Sequence, residues 1–506
     1  MNLQDSNPSH DVIIIGGALS GSATALQLRR KDPSLRILII ERSEQFKRRV
    51  GESTVEISSY FLTRVLGLTD YLLEKHLIKQ GLRFWFHNEK ARCPDSCSEI
   101  GPHFNVRLAS FQVDRAELDE HLLETCRKEG IEIMRPAEVK SFELNEGTVQ
   151  KVTLKRGEEM MERSARWLID ASGVVKLVAR KSGWVRRNEA HPISSAWARW
   201  RGVRSWDSKE LHQRFPQYGN RCYALRNTAT NHLIGKGWWS WWIPLKGGDV
   251  SIGVVYDERL VQPPEGDKPA DRLRGLLYEH PMARIFLEDA ECIEGDVHWR
   301  RGLPYYSENI IGDGFALVGD AAGFIDPFYS PGMDWVSFTT ANAANLILKE
   351  RQGMAQPEDY SYRNQLLTGS YHRWFRAIYE NKYFYMGDWE LMKLAFRLDL
   401  GLYYLGVVSQ PYKHGEEAFN MAPLNGPHTD FPAWLITLYN RRLSSIGKAR
   451  MKRGTWGRRN NGSYYPFVSF TLDYKLTLRV LWALMAWGWL ELKEGWRSWG
   501  KAVHAD

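Results

Sequence analysis

Several groups in this chain are spaced for chemistry. Gly16-Gly17-Ala18-Leu19-Ser20-Gly21 lies between an apolar run, Val12 to Ile15, and a helix-like stretch, Ser20 to Lys31. It matches G-x-G-x-x-G except that Ala18 stands at the second glycine position. Glycines there permit a tight turn and bring a helix N-terminus against a pyrophosphate. Glu41, with Arg42 beside it, follows Gly21 by twenty residues, where an acid accepts a ribose hydroxyl. Asp170-Ala171-Ser172-Gly173 and Gly319-Asp320-Ala321-Ala322-Gly323 each close a predicted strand. Lys79 is an isolated amine ahead of Gly81-Leu82-Arg83-Phe84-Trp85. Exposed it would be an inert solvated cation; buried, its pKa falls and it becomes a donor or a nucleophile. Finally, Trp238-Trp239-Ser240-Trp241-Trp242-Ile243-Pro244 concentrates four indoles in one stretch.

The elements that must position these groups are legible in outline. Val12–Ile15, a helix and Leu35–Ile40 form a β-α-β unit. Further strands are predicted at 151–155, 167–169 and 315–318. The stretches 194–203, 237–244 and 249–255 alternate like a sheet with one exposed face. Beyond about Tyr360 the pattern is helical, aromatic and charged, and Pro263-Pro264-Glu265-Gly266 is the clearest loop. The expected architecture is α/β. A Rossmann-like three-layer dinucleotide domain comprises 8–187 and 301–350, with 85–104 reaching the substrate side. A β-sheet substrate domain spans 188–300, and 351–506 is mostly helical. Trp374, Phe375, Tyr383, Phe384 and Tyr385 either cap a substrate chamber or pack the core.

Composition narrows the classes. The chain has 506 residues, 43% of them hydrophobic, enough for two or three units with large cores. Mean hydropathy is −0.43. The opening segment, MNLQDSNPSHD, is polar and lacks a signal-peptide core. The late apolar run 480–490 is too short to span a bilayer. Five scattered cysteines suggest a reducing cytoplasm without a disulfide framework, and Cys93 and Cys97 lack partners at zinc-like spacing, so no metal is expected. Net charge is +8. The basic run Arg441, Arg442, Lys448, Arg450, Lys452, Arg453, Arg458 and Arg459 reads as a solvated, mobile loop, with docking of an acidic carrier as the alternative.

Three motifs carry a family resemblance. Trp239-x-Trp241-x-Ile243-Pro244 resembles the W-x-W-x-I-P signature of flavin-dependent halogenases. Phe324-Ile325-Asp326-Pro327-Phe328-Tyr329-Ser330-Pro331-Gly332 resembles their F-x-x-P-x-x-S-x-G. Lys79 occupies the place of their lysine, after the loop Gly51-Glu52-Ser53-Thr54. Over roughly the first 350 residues the chain is also similar to the wider FAD-binding superfamily of aromatic hydroxylases and geranylgeranyl reductases. That resemblance implies FAD contacts from Gly51, Glu52, Ser53, Arg115, Asp320 and Met333, besides the glycine turn. It implies a tryptophan partition at Trp239, Trp241, Ile243 and Pro244 that keeps substrate from the flavin, and a halide held near Ser330 and Gly332. Reduced FAD, oxygen and chloride, bromide or iodide would give hypohalous acid. Lys79 would direct that oxidant to an electron-rich ring: phenol, pyrrole or indole. No second glycine-rich unit for a nicotinamide is visible, so a separate flavin reductase is expected, and the substrate is free or carrier-bound. The alternatives are an FAD monooxygenase or reductase on the same scaffold, or a non-catalytic carrier-docking protein.

Two positions depart from the pattern. Tyr329 stands where tryptophan halogenases carry Glu, which points to a phenol or pyrrole. Pro331 lacks the N–H that would help hold the halide, which suggests a larger, less hydrated anion such as bromide or iodide.

Overall fold

The computed structural model describes residues 8–222, 226–266, 268–293, 295–426, 429–467 and 471–498. The first seven residues of the polar opening segment lie outside them.

The strand His10–Ile15 is the centre of the first sheet. It runs parallel to Ile37–Ile40 on one side and to the second half of Glu159–Asp170 on the other. Phe315–Leu317 and Glu132–Met134 extend the parallel set outward. Val12, Ile13 and Ile14 are wholly buried, as continuous apolar runs must be in a sheet covered on both faces. The helix Leu19–Lys31 leaves the glycine turn and packs against Pro331–Arg351 and Arg115–Lys128. The first half of Glu159–Asp170 pairs antiparallel with Gln150–Arg156.

The second sheet has nine strands. Its centre is Ile193–Arg201, Val250–Asp257, Trp238–Pro244 and Thr230–Gly235. Leu82–Phe86 and Ser98–Pro102 continue it, and Tyr464–Phe467 closes it from the C-terminal region. The expectation of one exposed face is corrected here. Trp238 to Ile243 are all buried, because both faces are covered. Trp238 and Trp242 pack into a satellite core with Trp206 and Phe286, beneath the helices Pro269–Leu277 and Pro281–Phe286. Trp239, Trp241 and Ile243 face the main core. Strand alternation thus sends the indoles to opposite sides.

The C-terminal region wraps the junction of the two sheets. Its basic run is not a mobile loop. Residues Arg441 to Lys452 finish the helix Asp430–Lys452. Arg442 pairs with Glu491 at 2.8 Å, Arg450 with Asp388 at 2.8 Å and Glu494 at 2.5 Å, and Arg459 with Glu390 at 3.3 Å. Acids distant in sequence fixed the structure of that segment. Among the described residues no helix is long and apolar enough to cross a membrane.

Arg83 and Glu99, on neighbouring strands of the second sheet, are cross-linked with Arg226 from the turn before Thr230–Gly235. Glu99 bonds Arg83 at 2.8 Å and Arg226 at 3.3 Å, and all three side chains are buried. The two guanidiniums hold the Glu99 carboxyl below its usual range against the cost of burial. Glu99→Gln leaves two buried cations uncompensated. It is expected to lower stability by about 3–5 kcal/mol, read as a lower thermal or urea midpoint.

Candidate functional site

The glycine turn is built by close contacts. A Cβ on Gly16 would lie 2.5 Å from the Ala171 carbonyl oxygen, and one on Gly21 would lie 1.9 Å from the Gly16 carbonyl oxygen. Glycine is therefore required at both positions. Gly17 donates its N–H to Glu41 Oε2 at 2.8 Å, while Ser43 N–H and Oγ reach Oε1 at 2.8 and 2.6 Å. Glu41 thus braces the turn it was expected to serve, and Arg42 beside it is exposed. Ala18 is the N-cap of the helix, with no side-chain cap, and Ser20 packs under Gly319. The Leu19 N–H meets Asp119 Oδ1 at 3.1 Å, and Asp119 pairs with Arg115 at 3.1 Å. Arg115 is thereby aimed at Gly51, where a Cβ would fall 2.8 Å from its guanidinium.

Gly51, against which Arg115 lies, also lines a cavity of ≈170 Å³. Gly51, Glu52 and Ser53 line one side of it, Asp320 and Ser330 to Met333 another, and Trp239, Trp241 and Ile243 a third. Pro244 ends that strand without lining the cavity. Glu52 is also paired with Arg199 at 2.5 Å. Asp320 is half-buried, and its desolvation raises its carboxyl pKa, while Arg115 and Arg300 oppose that rise. The cradle, the arginines and this carboxylate together fit a flavin dinucleotide.

The second motif forms a strained turn. Asp326 fixes it, taking the Phe328 N–H at 2.8 Å, His191 at 2.7 Å and the Tyr383 hydroxyl at 3.0 Å. Tyr329 and Ser330 then adopt consecutive left-handed conformations, with φ of 68° and 57°. Such residues cost about 1–3 kcal/mol each. The strain reverses the chain so that the helix Pro331–Arg351 starts at the cavity wall. The Ser330 N–H is spent on the Pro327 carbonyl at 2.9 Å, and Pro331 has none. No side chain caps this helix, so the N–H groups of Gly332 and Met333 have no side-chain capping partner. A Cβ on Gly332 would meet nothing within 4 Å.

Lys79 lies in a different place. A second cavity of ≈90 Å³ holds it, together with Glu56, Asp334, Asp399 and a group of tyrosines. Lys79 is 1% exposed. Burial pushes its pKa down to about 8, and Glu56 and Asp334 oppose the shift. Its Nζ donates to Ser53 Oγ at 2.8 Å and to the Thr54 carbonyl at 2.7 Å. Ser53 Oγ bonds Thr230 Oγ1 at 3.1 Å, and both of these residues line the first cavity. A hydrogen-bonded line thus joins the chambers. Two residues border both: Pro331 and Trp374. Trp239, Trp241 and Ile243 line only the first.

Comparison with known proteins agrees with this geometry. The family model for tryptophan halogenase matches residues 11–103 and 97–379. The chain belongs to that family. Among curated relatives, the flavin-dependent halogenase chlA of Dictyostelium discoideum is 28% identical over 381 residues, covering 66% of this chain and 61% of the relative. A 1H-pyrrole-2-carbonyl-[peptidyl-carrier protein] brominase of Pseudoalteromonas luteoviolacea is 26% identical, covering 70% and 82%. The match spans only 61% and 65% of the length of the first two curated relatives. The crystal structure of halogenase PltM superposes with a TM-score of 0.74 at 20% identity, covering 95% of this chain and 96% of that one, so the fold is shared.

Sequence reasoning missed Glu56, Asp334, Asp399 and the paired Tyr403 and Tyr404, whereas Trp374, expected to cap a chamber or pack the core, lines both cavities. Glu56 and Asp334 lay just past motifs that were read only to their ends. The others come from helices that no motif covers. For the first cavity, Gly21→Ala is expected to displace the turn and weaken FAD binding by about tenfold or more, since a tenfold loss needs only about 1.4 kcal/mol. Quenching of flavin fluorescence on titration measures it.

Proposed function

We propose that this chain is a flavin-dependent halogenase acting on an electron-rich aromatic ring. The observation that carries the reading is the pair of separate cavities. Anion donors lie in one and a buried lysine in the other, and Pro331 and Trp374 stand between them. FAD, reduced by a separate reductase, supplies with oxygen the oxidation of the halide to hypohalous acid. Gly16, Gly17, Ala18, Ser20, Gly21, Glu41 and Arg42 hold its adenosine end. Gly51, Glu52, Ser53, Arg115, Asp320 and Met333 hold its flavin end. The aromatic substrate is kept off the flavin by Trp239, Trp241 and Ile243 on the flavin side, with Pro244 ending their strand. A small neutral oxidant passes the wall where a ring does not.

Lys79 then orients the oxidant through the N–H that Ser53 and Thr54 leave unused, an ammonium having three donors. We divide the chain into 8–187 with 301–350 for the flavin, 188–300 for the substrate sheet with 85–104 reaching that side, and a mostly helical 351–506 that adds the strand Tyr464–Phe467 to the sheet. Tyr329 supports a phenol or pyrrole over free tryptophan. Its hydroxyl bonds Asp399 at 3.1 Å, so no base is supplied at that position. The enzyme acts in the cytoplasm, on a free or carrier-bound ring.

Halide choice follows from Ser330 to Gly332. With the Ser330 N–H committed and Pro331 lacking one, two backbone donors remain. A sparsely coordinated site favours the anion that loses water most easily. In competition, bromide or iodide is expected to exceed chloride in product, and equal turnover with chloride would remove the basis for this preference.

The decisive test combines the protein with FAD, a flavin reductase, NADH, each halide and a panel of phenols, pyrroles and indoles. Wild type is expected to give products with halogen in place of hydrogen. Lys79→Ala is expected to lose at least about a hundredfold in product while flavin oxidation continues. A product gaining one oxygen would instead favour a monooxygenase.

A further inference from the structure

The second cavity contains three carboxyls that the motifs do not account for, Glu56, Asp334 and Asp399. Glu56 begins the short helix Glu56–Tyr60, and Asp334 lies in the first turn of Pro331–Arg351. Adjacent tyrosines hold them. The Tyr403 hydroxyl donates to Asp334 Oδ2 at 2.7 Å, and the Tyr404 hydroxyl donates to Glu56 Oε1 at 2.6 Å. The three carboxyls of this chamber differ in what remains free. Asp399 accepts Lys382 at 2.7 Å, Tyr439 at 2.5 Å and Tyr329 at 3.1 Å. Asp334 accepts Tyr403 on one oxygen and the Ser58 N–H, at 3.0 Å, on the other. Among the described residues Glu56 has the Tyr404 hydroxyl and otherwise its own backbone N–H. It retains the most acceptor capacity.

Lys79 supplies an independent indication of a ligand. It senses the charges of both Glu56 and Asp334, yet among the described residues no ion pair joins it to either. Its third N–H has no protein acceptor among the described residues, although it is 1% exposed. A buried donor and a buried acceptor thus face one chamber without closing on each other. A ligand that both accepts from Lys79 and donates to Glu56 satisfies both groups.

We propose that Glu56 is the proton acceptor of the second chamber, and that the substrate is a ring bearing a hydroxyl or ring N–H donated to it. This rests on the halogenase reading. As halogen transfers, the carbon–halogen bond forms and the oxygen–halogen bond of hypohalous acid breaks. The departing hydroxide takes a proton from the Lys79 ammonium and leaves as water. The proton lost by the ring passes to Glu56, directly from carbon or through the hydroxyl or N–H, and the electron pair returns to the ring. Transfer from Glu56 to the Lys79 amine restores both groups. Burial raises Glu56 above the usual carboxylate range, which makes it a stronger proton acceptor than an exposed carboxylate. The titratable groups facing Glu56 are Lys79, Asp334, Tyr403, Tyr404 and Tyr412.

The test uses Glu56→Gln and Glu56→Asp in the full chain. Gln keeps an acceptor for Tyr404, so the fold is retained; thermal midpoints check this. With the reductase system and phenols of graded acidity, Glu56→Gln is expected to lose about a hundredfold in halogenated product. The loss should be greatest for the least acidic phenols, and Glu56→Asp should recover part of it. A second readout needs no flavin: 4-nitrophenol bound to the protein, with its ionisation followed by absorbance. A carboxylate beside it disfavours the phenolate, so Glu56→Gln should lower its apparent pKa by about one unit. Unchanged product across the series, or an unchanged pKa of the bound probe, overturns the proposal. If wild type makes no halogenated product, the halogenase reading fails, and the probe titration still decides whether Glu56 faces a bound phenol.

Discussion

The N-terminus of the helix Pro331–Arg351 is the constraint on which the rest of the site depends. Gly332 and Met333 face the first cavity, Asp334 faces the second, and Pro331 borders both. Four consecutive residues therefore set backbone donors toward one cavity, a wall and a chamber carboxyl. Their register is fixed by two unfavourable left-handed residues, which persist only because Asp326 and Asp399 anchor them from either side. The helix is also tied back to the glycine-aspartate turn. The Trp335 indole N–H reaches the Gly319 carbonyl at 3.1 Å, and the Gly319 N–H reaches Thr339 Oγ1 at 2.9 Å. The glycine-aspartate turn and the start of this helix are therefore coupled.

The second chamber shows the opposite economy. Its charges are buried at a cost that burial alone would make prohibitive, and the fold answers with hydroxyls more than with ion pairs. Lys79 sits on a serine and a carbonyl; Glu56 and Asp334 sit on tyrosines. Hydroxyl partners satisfy a group in either protonation state, whereas an ion pair locks it in one. The Arg83–Glu99–Arg226 cluster in the neighbouring sheet is locked in this second way, and there Glu99 lies below its usual range. The same residue types thus serve cohesion in one place and proton exchange in the other.

Local signals made the parallel sheet and the glycine turn legible: continuous apolar runs, glycines and a following acid. Lys79 and the indole strand were legible only through motif order. The coverage of the second sheet was not, because Trp206, Phe286 and the helices above them lie far from the strand they cover. The basic run was misread as a loop for a related reason. Arg442, Arg450 and Arg459 look like solvated charge until Glu390, Glu491 and Glu494 arrive from other helices. The chamber carboxyls were missed because pairing with Tyr403 and Tyr404 spans about seventy residues in one case and well over three hundred in the other.

The tryptophan strand illustrates how position changes meaning. Read alone, four indoles in a row suggest a wall between flavin and substrate. In the fold, Trp238 and Trp242 turn away into a satellite core, and Trp239 and Trp241 line the first cavity only. Trp239 is fixed there by its indole N–H on the Tyr383 hydroxyl at 2.8 Å, which in turn donates to Asp326. The same aspartate holds the strained turn that begins the helix. The indole strand therefore acts on the partition in two ways, by narrowing the first cavity and by bracing the turn that carries Pro331 into the wall. A substitution at Trp239 disturbs both, so its effect on selectivity cannot be read as loss of bulk alone.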